Sequence, residues 1–233
     1  MQPPPEYDAV LARGRRIHPG VRIGRPGRGW AYWPMFALAQ LVRLRYRVQV
    51  SGREHLAAGP AILVGNHVSA MDPVMVGITP LGHLAFFTKI EAYESAAGAF
   101  FAAVGQIPLR RGDEESTAWA LAMSAEVVRL GTKLGIYPEG TRSPDGRTMH
   151  RLHRRVLVPI LQANPGVPVH AMTIAYPGRR HGRQFVDLRF SPALDLDVED
   201  ASADDLTRAV TSALLELGGL PYEHTFGRRV KGE

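Results

Sequence analysis

The side chains best suited to acid–base chemistry sit in residues 61–73, AILVGNHVSAMDP, where Asn66, His67, Ser69 and Asp72 follow an apolar run. That run, 61–65, reads as a buried strand, and the polar residues read as a tight turn leaving it. In a regular helix, side chains five apart lie about 140° around the axis from one another, so His67 and Asp72 pair only across a turn. Asp72 followed by Pro73 supplies one, because Asp is a good N-cap and Pro is tolerated at the first helical position. His67 then ends a strand and Asp72 stands at the mouth of the next helix. A carboxylate there can hold one imidazole nitrogen while the other faces a cleft, which is a general base with its orienter. Read alone, the spacing has a plainer alternative, in which Asp72 caps a helix and His67 is an ordinary polar loop residue.

Three further stretches bear on the same chemistry. In residues 105–111, GQIPLRR, Arg110 and Arg111 stand just past an extended segment, where forked guanidinium donors can grip a phosphate bidentately. In residues 137–143, YPEGTRS, a Pro-Glu-Gly turn follows a strand, and its backbone N–H groups, the Glu139 carboxylate and Arg142 can line a common cleft. Residues 167–169, VPV, open a late strand and carry no chemistry themselves. Taken singly, the first two are a basic turn and a turn with a solvated ion pair. The chain has no Cys, which excludes disulfides, a thiol nucleophile and Cys-ligated zinc, and it contains no G-x-S-x-G elbow. Its nine His form no ligand pattern around His67. His150 and His153 share a helical spacing, but Arg151, Arg154 and Arg155 oppose a bound cation, so that stretch reads as a basic surface. No metal and no cofactor is expected.

The elements that must position these residues are legible in the patterning. With 233 residues and 45% hydrophobic content, the chain fits one large domain with a two- or three-layer core. Strands are expected over 47–51, 61–65, 84–89, 133–137, 167–176 and 185–190. Helices are expected over 73–78, 91–104, 113–130, 149–162 and 203–217, with Asp113, Glu114 and Glu115 favouring the start of the third and Gly131 its end. Strands alternating with helices predict an α/β fold with a mixed, mostly parallel central sheet flanked by helices, carrying an N-terminal amphipathic or interfacial segment. The division expected is a basic arm with interfacial segment over 1–46 and a catalytic domain over 47–233.

The net charge of +6 is unevenly placed: residues 1–53 hold ten Arg against Glu6 and Asp8, leaving the remainder slightly acidic. Residues 1–28, rich in Pro, Gly and Arg, read as an irregular or partly mobile arm. Residues 30–46, WAYWPMFALAQLVRLRY, contain an apolar run far short of the ~20 residues that span a bilayer. Trp30, Tyr32, Trp33 and Phe36 favour the headgroup level, and Arg43, Arg45 and Arg47 attract anionic lipid at ~1 kcal/mol each. The alternative is a core helix whose arginines snorkel outward. The start of the chain lacks a basic region followed by an apolar one, so no secretory signal is read and the cytoplasmic face of a membrane is the expected location. The pI of about 10 suggests nucleic acid, but the charge lies beside an aromatic, apolar run and no binding motif accompanies it.

The order and spacing of NHVSAMD, GQIPLRR, YPEGTRS and VPV resemble the glycerolipid acyltransferase family typified by 1-acylglycerol-3-phosphate acyltransferases, over roughly residues 50–176. The resemblance implies His67 as the catalytic base and Asp72 as its partner. It implies Arg111, with Arg110 as helper, on the acceptor phosphate, and Glu139, Gly140, Thr141 and Arg142 as the acceptor-binding turn. Lys89, in FTKIE, matches a lysine often found between the first two motifs. The activity implied is acyl transfer from an acyl-CoA or acyl carrier protein thioester to a lysophospholipid hydroxyl, at an anionic membrane surface. With the acceptor's own hydroxyl in the place of serine, and neither Cys nor elbow present, direct attack is favoured over an acyl-enzyme. Two departures bear on the acceptor. The aromatic-Lys-x-Gly cluster usual after YPEGTRS is replaced by Leu152-His153-Arg154-Arg155, and His170 and Ala171 stand where a second proline is expected after Pro168. The alternatives are the same chemistry on another lysophospholipid, a glycolipid or a specialised metabolite, or a non-catalytic peripheral lipid-binding protein.

Overall fold

The computed structural model describes residues 5–56 and 58–227. Its strands are β1 (Tyr46–Ser51), β2 (Ile62–Gly65), β3 (Leu84–Lys89), β4 (Ile107–Leu109), β5 (Lys133–Ile136), β6 (Met149–His150), β7 (Val169–Arg180), β8 (Arg183–Ala193) and β9 (Tyr222–Glu223). The helices are α1 (Pro5–Ile17), α2 (Tyr32–Ala39), α3 (Asp72–Gly77), α4 (Ile90–Glu94), α5 (Gly98–Val104), α6 (Glu114–Arg129), α7 (Arg154–Gln162) and α8 (Ala203–Gly218). Seven strands form one sheet in the order β1-β8-β7-β2-β5-β3-β4. All its pairings are parallel except β7 with β8, so the mixed, mostly parallel α/β fold is as the patterning predicts. The central strands β2 and β5 are buried along their whole length, as strands covered on both faces must be. Within β2, Ile62 and Val64 join the core beneath α6, α7 and α8, while Leu63 joins the other core with Met75, Val76 and Phe86. That is the two-residue alternation of a pleated strand.

Several expected elements are corrected. Residues 5–17 are not an irregular arm but the helix α1, which buries Tyr7 and Leu11 in the same core as Trp119. Val10 O accepts the Trp119 indole N–H at 2.8 Å. Gly14 is where the two helices meet: a Cβ there would lie 2.3 Å from the Trp119 ring. The core therefore crosses residue 46. The helix expected over 91–104 divides into α4 and α5 at Ser95, whose backbone is extended (φ −85°, ψ 175°), and the chain then returns so closely that a Cβ at Gly98 would sit 1.9 Å from Tyr93 O. The helix expected from 149 begins at Arg154, since Met149 and His150 pair with Tyr222 and Glu223 as a small second sheet. By contrast, α6 starts as expected, with the Asp113 carboxylate accepting the Ser116 N–H at 2.8 Å.

Residues 30–46 form α2 and a 3₁₀ turn, Gln40–Leu44. The inner side is pinned to the body of the protein. Tyr32 Oη donates to Gly82 O at 2.8 Å, and the Arg43 guanidinium donates to Gln40 Oε1 and Ile78 O. Arg43 is thus engaged by the fold rather than by solvent. The outer side leaves Trp30 81%, Trp33 53%, Leu38 55%, Leu41 59% and Leu44 72% exposed. Among the described residues, no helix is long and apolar enough to cross a membrane.

Candidate active site

The parallel strands β7, β2, β5, β3 and β4 all point their carboxyl ends to one edge of the sheet, where open α/β sheets place their ligands. There β2 runs into Asn66 and His67, β5 into Tyr137 to Gly140, β3 ends at Lys89 and β4 runs into Arg110 and Arg111. The sheet does not simply stop at Gly65. Asn66 Nδ2 donates to Ile174 O at 3.0 Å and Ile174 N–H donates to Asn66 Oδ1 at 2.8 Å. The side-chain amide thus takes over the β2–β7 ladder and frees the main chain to turn away with His67.

His67 and Asp72 do meet across the turn: His67 Nδ1 lies 2.7 Å from Asp72 Oδ2. Asp72 is fully buried and is the first residue of α3. Its carboxylate does not cap that helix, as the patterning suggests, but folds back over the loop. Oδ2 also accepts the N–H groups of Val68 and Ser69, each at 2.8 Å, and Oδ1 accepts the Tyr176 hydroxyl at 2.8 Å. A carboxylate surrounded by three such donors acts as acceptor only, so the proton of the pair belongs on His67 Nδ1. That leaves the Nε2 lone pair of a neutral imidazole, one fifth of whose side chain is exposed, as an available base.

The YPEGTRS loop holds His67 from behind. Glu139 Oε1 accepts the His67 N–H at 2.8 Å, and Ser143 N–H donates to His67 O at 2.7 Å. The Tyr137 ring stacks on the imidazole at 4.4 Å and 13°, and on Phe86 at 5.4 Å. The second Glu139 oxygen accepts the His150 N–H at 2.8 Å. Glu139 therefore braces the loop from beneath, 1% exposed, with both oxygens engaged by backbone; it does not face the cleft as expected. Desolvation pushes its carboxyl up to about 7, against the two N–H bonds that favour the ionised form. Burial likewise pushes the Tyr137 phenol well above its ordinary range, and its hydroxyl has no hydrogen-bond partner among the described residues.

Gly140 closes the turn, donating to Tyr137 O at 3.0 Å with a φ of +69°. A side chain there would be strained and would press on His153. Thr141 is half-buried and Arg142 exposed. The basic residues stand further along the edge. Lys89 ends β3, two strands from β2, and Arg110 and Arg111 follow β4, three strands away, or about 10 and 14 Å at the usual strand spacing. Arg110 pairs with Glu94 at 2.8 Å, and Arg111 is exposed. The structure thus joins His67, Asp72, Glu139 and Gly140 in one loop cluster, and sets Lys89, Arg110 and Arg111 further along the same edge of the sheet.

Three contributors escape the sequence reading: Tyr176, Tyr137 and Asn66 in its ladder role. Tyr176 lies 104 residues from Asp72, and its only signal is its place at the end of the strand expected over 167–176, which runs on to Arg180 in β7.

A model of the family described as Acyltransferase matches residues 47–175. Among curated proteins, the chain is similar to the 1-acyl-sn-glycerol-3-phosphate acyltransferase BAT2, chloroplastic, of Brassica napus. The two are 30% identical over 138 residues, 58% of this chain and 39% of the relative. A 1-acyl-sn-glycerol-3-phosphate acyltransferase of Saccharomyces cerevisiae is 36% identical over 98 residues, 41% of this chain and 32% of the relative. The chain thus spans about two fifths or less of the length of these relatives. Among solved structures, the 1-acyl-sn-glycerophosphate acyltransferase PlsC from Thermotoga maritima superimposes with a TM-score of 0.59. It covers 97% of this chain and 88% of its own at 21% identity, a likeness of fold.

Proposed function

Because this chain belongs to the acyltransferase family, its matched segment running from β1 through Ala175, we propose that it transfers a fatty acyl group from a thioester donor to a lysophospholipid hydroxyl. The acceptor that the motifs and the named relatives favour is 1-acylglycerol-3-phosphate. The observation that carries the reading is the 2.7 Å contact between His67 Nδ1 and Asp72 Oδ2, because it leaves Nε2 as a base directed away from its orienter. The acceptor hydroxyl gives its proton to Nε2 as its oxygen attacks the thioester carbonyl carbon. Asp72 stabilises the imidazolium so formed. The tetrahedral intermediate collapses with cleavage of the C–S bond, and the imidazolium returns the proton to the departing thiolate. No acyl-enzyme is required, since the acceptor's own oxygen is the nucleophile.

The donor is a thioester of coenzyme A or of acyl carrier protein, and Arg111, helped by Lys89 and Arg110, holds the acceptor phosphate. The exposed outer side of α2 and the 3₁₀ turn is read as the face that rests on a bilayer, where indole and leucine side chains enter the interface. A second acceptor, lacking the phosphomonoester, is favoured by one observation: His153, standing in place of the usual lysine, packs on the Gly140 turn and stacks on Phe226 at 4.4 Å.

The test is acyl transfer in detergent from a labelled thioester to lysophosphatidic acid, with purified wild type and His67→Ala. The expected result is loss of turnover in a variant that keeps its melting temperature, and Asp72→Asn is expected to lose ~10²–10⁴-fold. Near-wild-type turnover by His67→Ala removes the base assignment.

A further inference from the structure

The hairpin that joins β7 to β8 is a charged structure that the acyl-transfer site does not use. Its two-residue turn is His181-Gly182, with φ of 51° and 76°, the pair of positive angles of a type I′ turn, which is the tightest way to reverse an antiparallel pair. Arg180 sits directly across from Arg183, and Arg179 across from Gln184. All three arginines are exposed. Like charges directly opposite one another disfavour a hairpin, and the fold adds to the charge instead of countering it. Arg45 donates from Nη1 to Gly182 O at 3.4 Å, bringing a further guanidinium to the tip, and exposed Arg47 follows on β1. Among the described residues, none of Arg45, Arg47, Arg179, Arg180 and Arg183 makes an ion pair.

The position of this cluster says what it faces. β1 runs parallel to β8, so its first residue, Tyr46, lies beside Gln184 at the base of the hairpin tip. The 3₁₀ turn that presents Leu41 and Leu44 ends two residues earlier. The basic tip is therefore continuous with the Leu41–Leu44 end of the exposed apolar face of residues 30–44. The tip lies at the carboxyl end of the sheet, where Tyr176, which holds Asp72, is four residues from Arg180 on the same strand, about 13 Å along an extended chain. The apolar face instead runs from Leu44 beside the tip back to Tyr32, which bonds Gly82 just ahead of β3 at the amino end. A nucleic acid or an acidic protein would match the arginines but not the exposed indoles and leucines beside them. A bilayer matches both, with acyl chains for Trp30, Trp33, Leu41 and Leu44 and phosphates for the arginines.

Resting on the interfacial reading of residues 30–44, we infer that the β7–β8 hairpin is a second membrane contact, whose Arg179, Arg180 and Arg183 bind the phosphates of anionic lipids. It gives the protein two attachment points of different chemistry, and so a fixed orientation on the bilayer, with the hairpin tip at the carboxyl end of the sheet and the indoles toward its amino end. The tight turn leaves the tip little slack, so the arginines and the strand carrying Tyr176 keep a fixed separation.

The test is flotation of the whole chain with two kinds of vesicle, phosphatidylcholine alone and phosphatidylcholine containing phosphatidylglycerol, at low and high salt. One variant carries Arg179→Gln, Arg180→Gln and Arg183→Gln, and the other carries Trp30→Ser, Trp33→Ser and Leu41→Ser. Each arginine near an anionic surface is worth about fivefold in partitioning. The glutamine variant is therefore expected to lose about hundredfold on the anionic vesicles at low salt, to converge on wild type as salt rises, and to bind neutral vesicles normally. The serine variant is expected to lose binding to both. Unchanged melting temperature, and unchanged turnover of a soluble short-chain acceptor, show that the glutamine variant is folded with its site intact. The inference is overturned if that variant binds anionic vesicles within about twofold of wild type, or if it loses neutral vesicles equally. Loss of affinity for an acidic carrier protein, with vesicle binding intact, also overturns it. If wild type floats with neither vesicle, the interfacial reading fails with it, whereas acyl transfer is decided separately by His67→Ala in detergent.

Discussion

Glu139→Gln separates the stability of the fold from the placement of the base. In the native protein the carboxyl is raised from 4.5 to about 7, chiefly by desolvation. Between those values the native state holds a proton that the unfolded chain has released, so stability falls as pH rises across that window. At about 1.4 kcal/mol per pH unit, the full loss is about 3 kcal/mol. It is absent below 4.5 and complete above 7. Glutamine cannot ionise and does not suffer this loss, but it offers only one acceptor oxygen to two backbone N–H groups. One of them, from His67 or His150, then meets an amide N–H₂ instead, at a cost of about 1–3 kcal/mol. Relative to wild type, the glutamine variant should therefore be less stable at pH 5 and gain about 3 kcal/mol by pH 8, ending near parity. Its turnover at pH 8 should still be reduced, because the loop under His67 has lost one of its two backbone anchors. Urea unfolding at stepped pH measures the first effect and kcat in detergent the second. If the stability difference is flat, or moves the other way with pH, the two N–H donors outweigh desolvation and the argument from burial is wrong.

Tyr176→Phe removes one of the donors on Asp72, and is expected to lower kcat about tenfold with KM little changed, at a stability cost of about 1.5–3 kcal/mol; unchanged turnover would show the hydroxyl to be only structural. Gly14→Ala sets a helix-propensity gain of about 1 kcal/mol against overpacking of about 1–3 kcal/mol. With a Cβ only 2.3 Å from the Trp119 ring, overpacking should win and the melting temperature should drop, whereas a rise would mean that α1 packs loosely. Arg111→Ala should raise KM for lysophosphatidic acid, less so at high salt, while barely affecting a neutral lyso-lipid. Equal losses on both acceptors would move Arg111 off the acceptor phosphate.

What the sequence discloses here depends on how local the cause is. The start of α6 is set by neighbours three residues apart, Asp113 and Ser116, and the His67–Asp72 turn by five consecutive bonds of chain and a proline, so both are legible. Helix α1 is not, because its buried positions Tyr7, Leu11 and Gly14 are interleaved with Arg13, Arg15 and Arg16, and the glycine that looks like a helix breaker is required by the face of Trp119. Tyr176 escapes, and the bracing role of Glu139 is missed, for a related reason. Each acts on the 67–72 loop from a distant part of the chain, and a carboxylate in a Pro-Glu-Gly turn carries no mark that its oxygens face inward to backbone. The lysine or arginine of a phosphate site can be suspected from type alone, but its distance from the base follows from strand order, which local patterning does not contain.

The packing of α1 on α6 also has a consequence for biosynthesis. The Val10–Trp119 bond joins residues 109 apart, so α1 leaves the ribosome well before the helix that covers it. At 5–20 residues per second the interval is about 5–20 s. Throughout it Tyr7 and Leu11, both buried in the finished protein, have no surface to rest on, and no part of the core beneath α6 can close. Closure of this core must therefore wait for α6, with an early helix, its apolar side uncovered, open to holding chaperones or to the nearest bilayer while it waits.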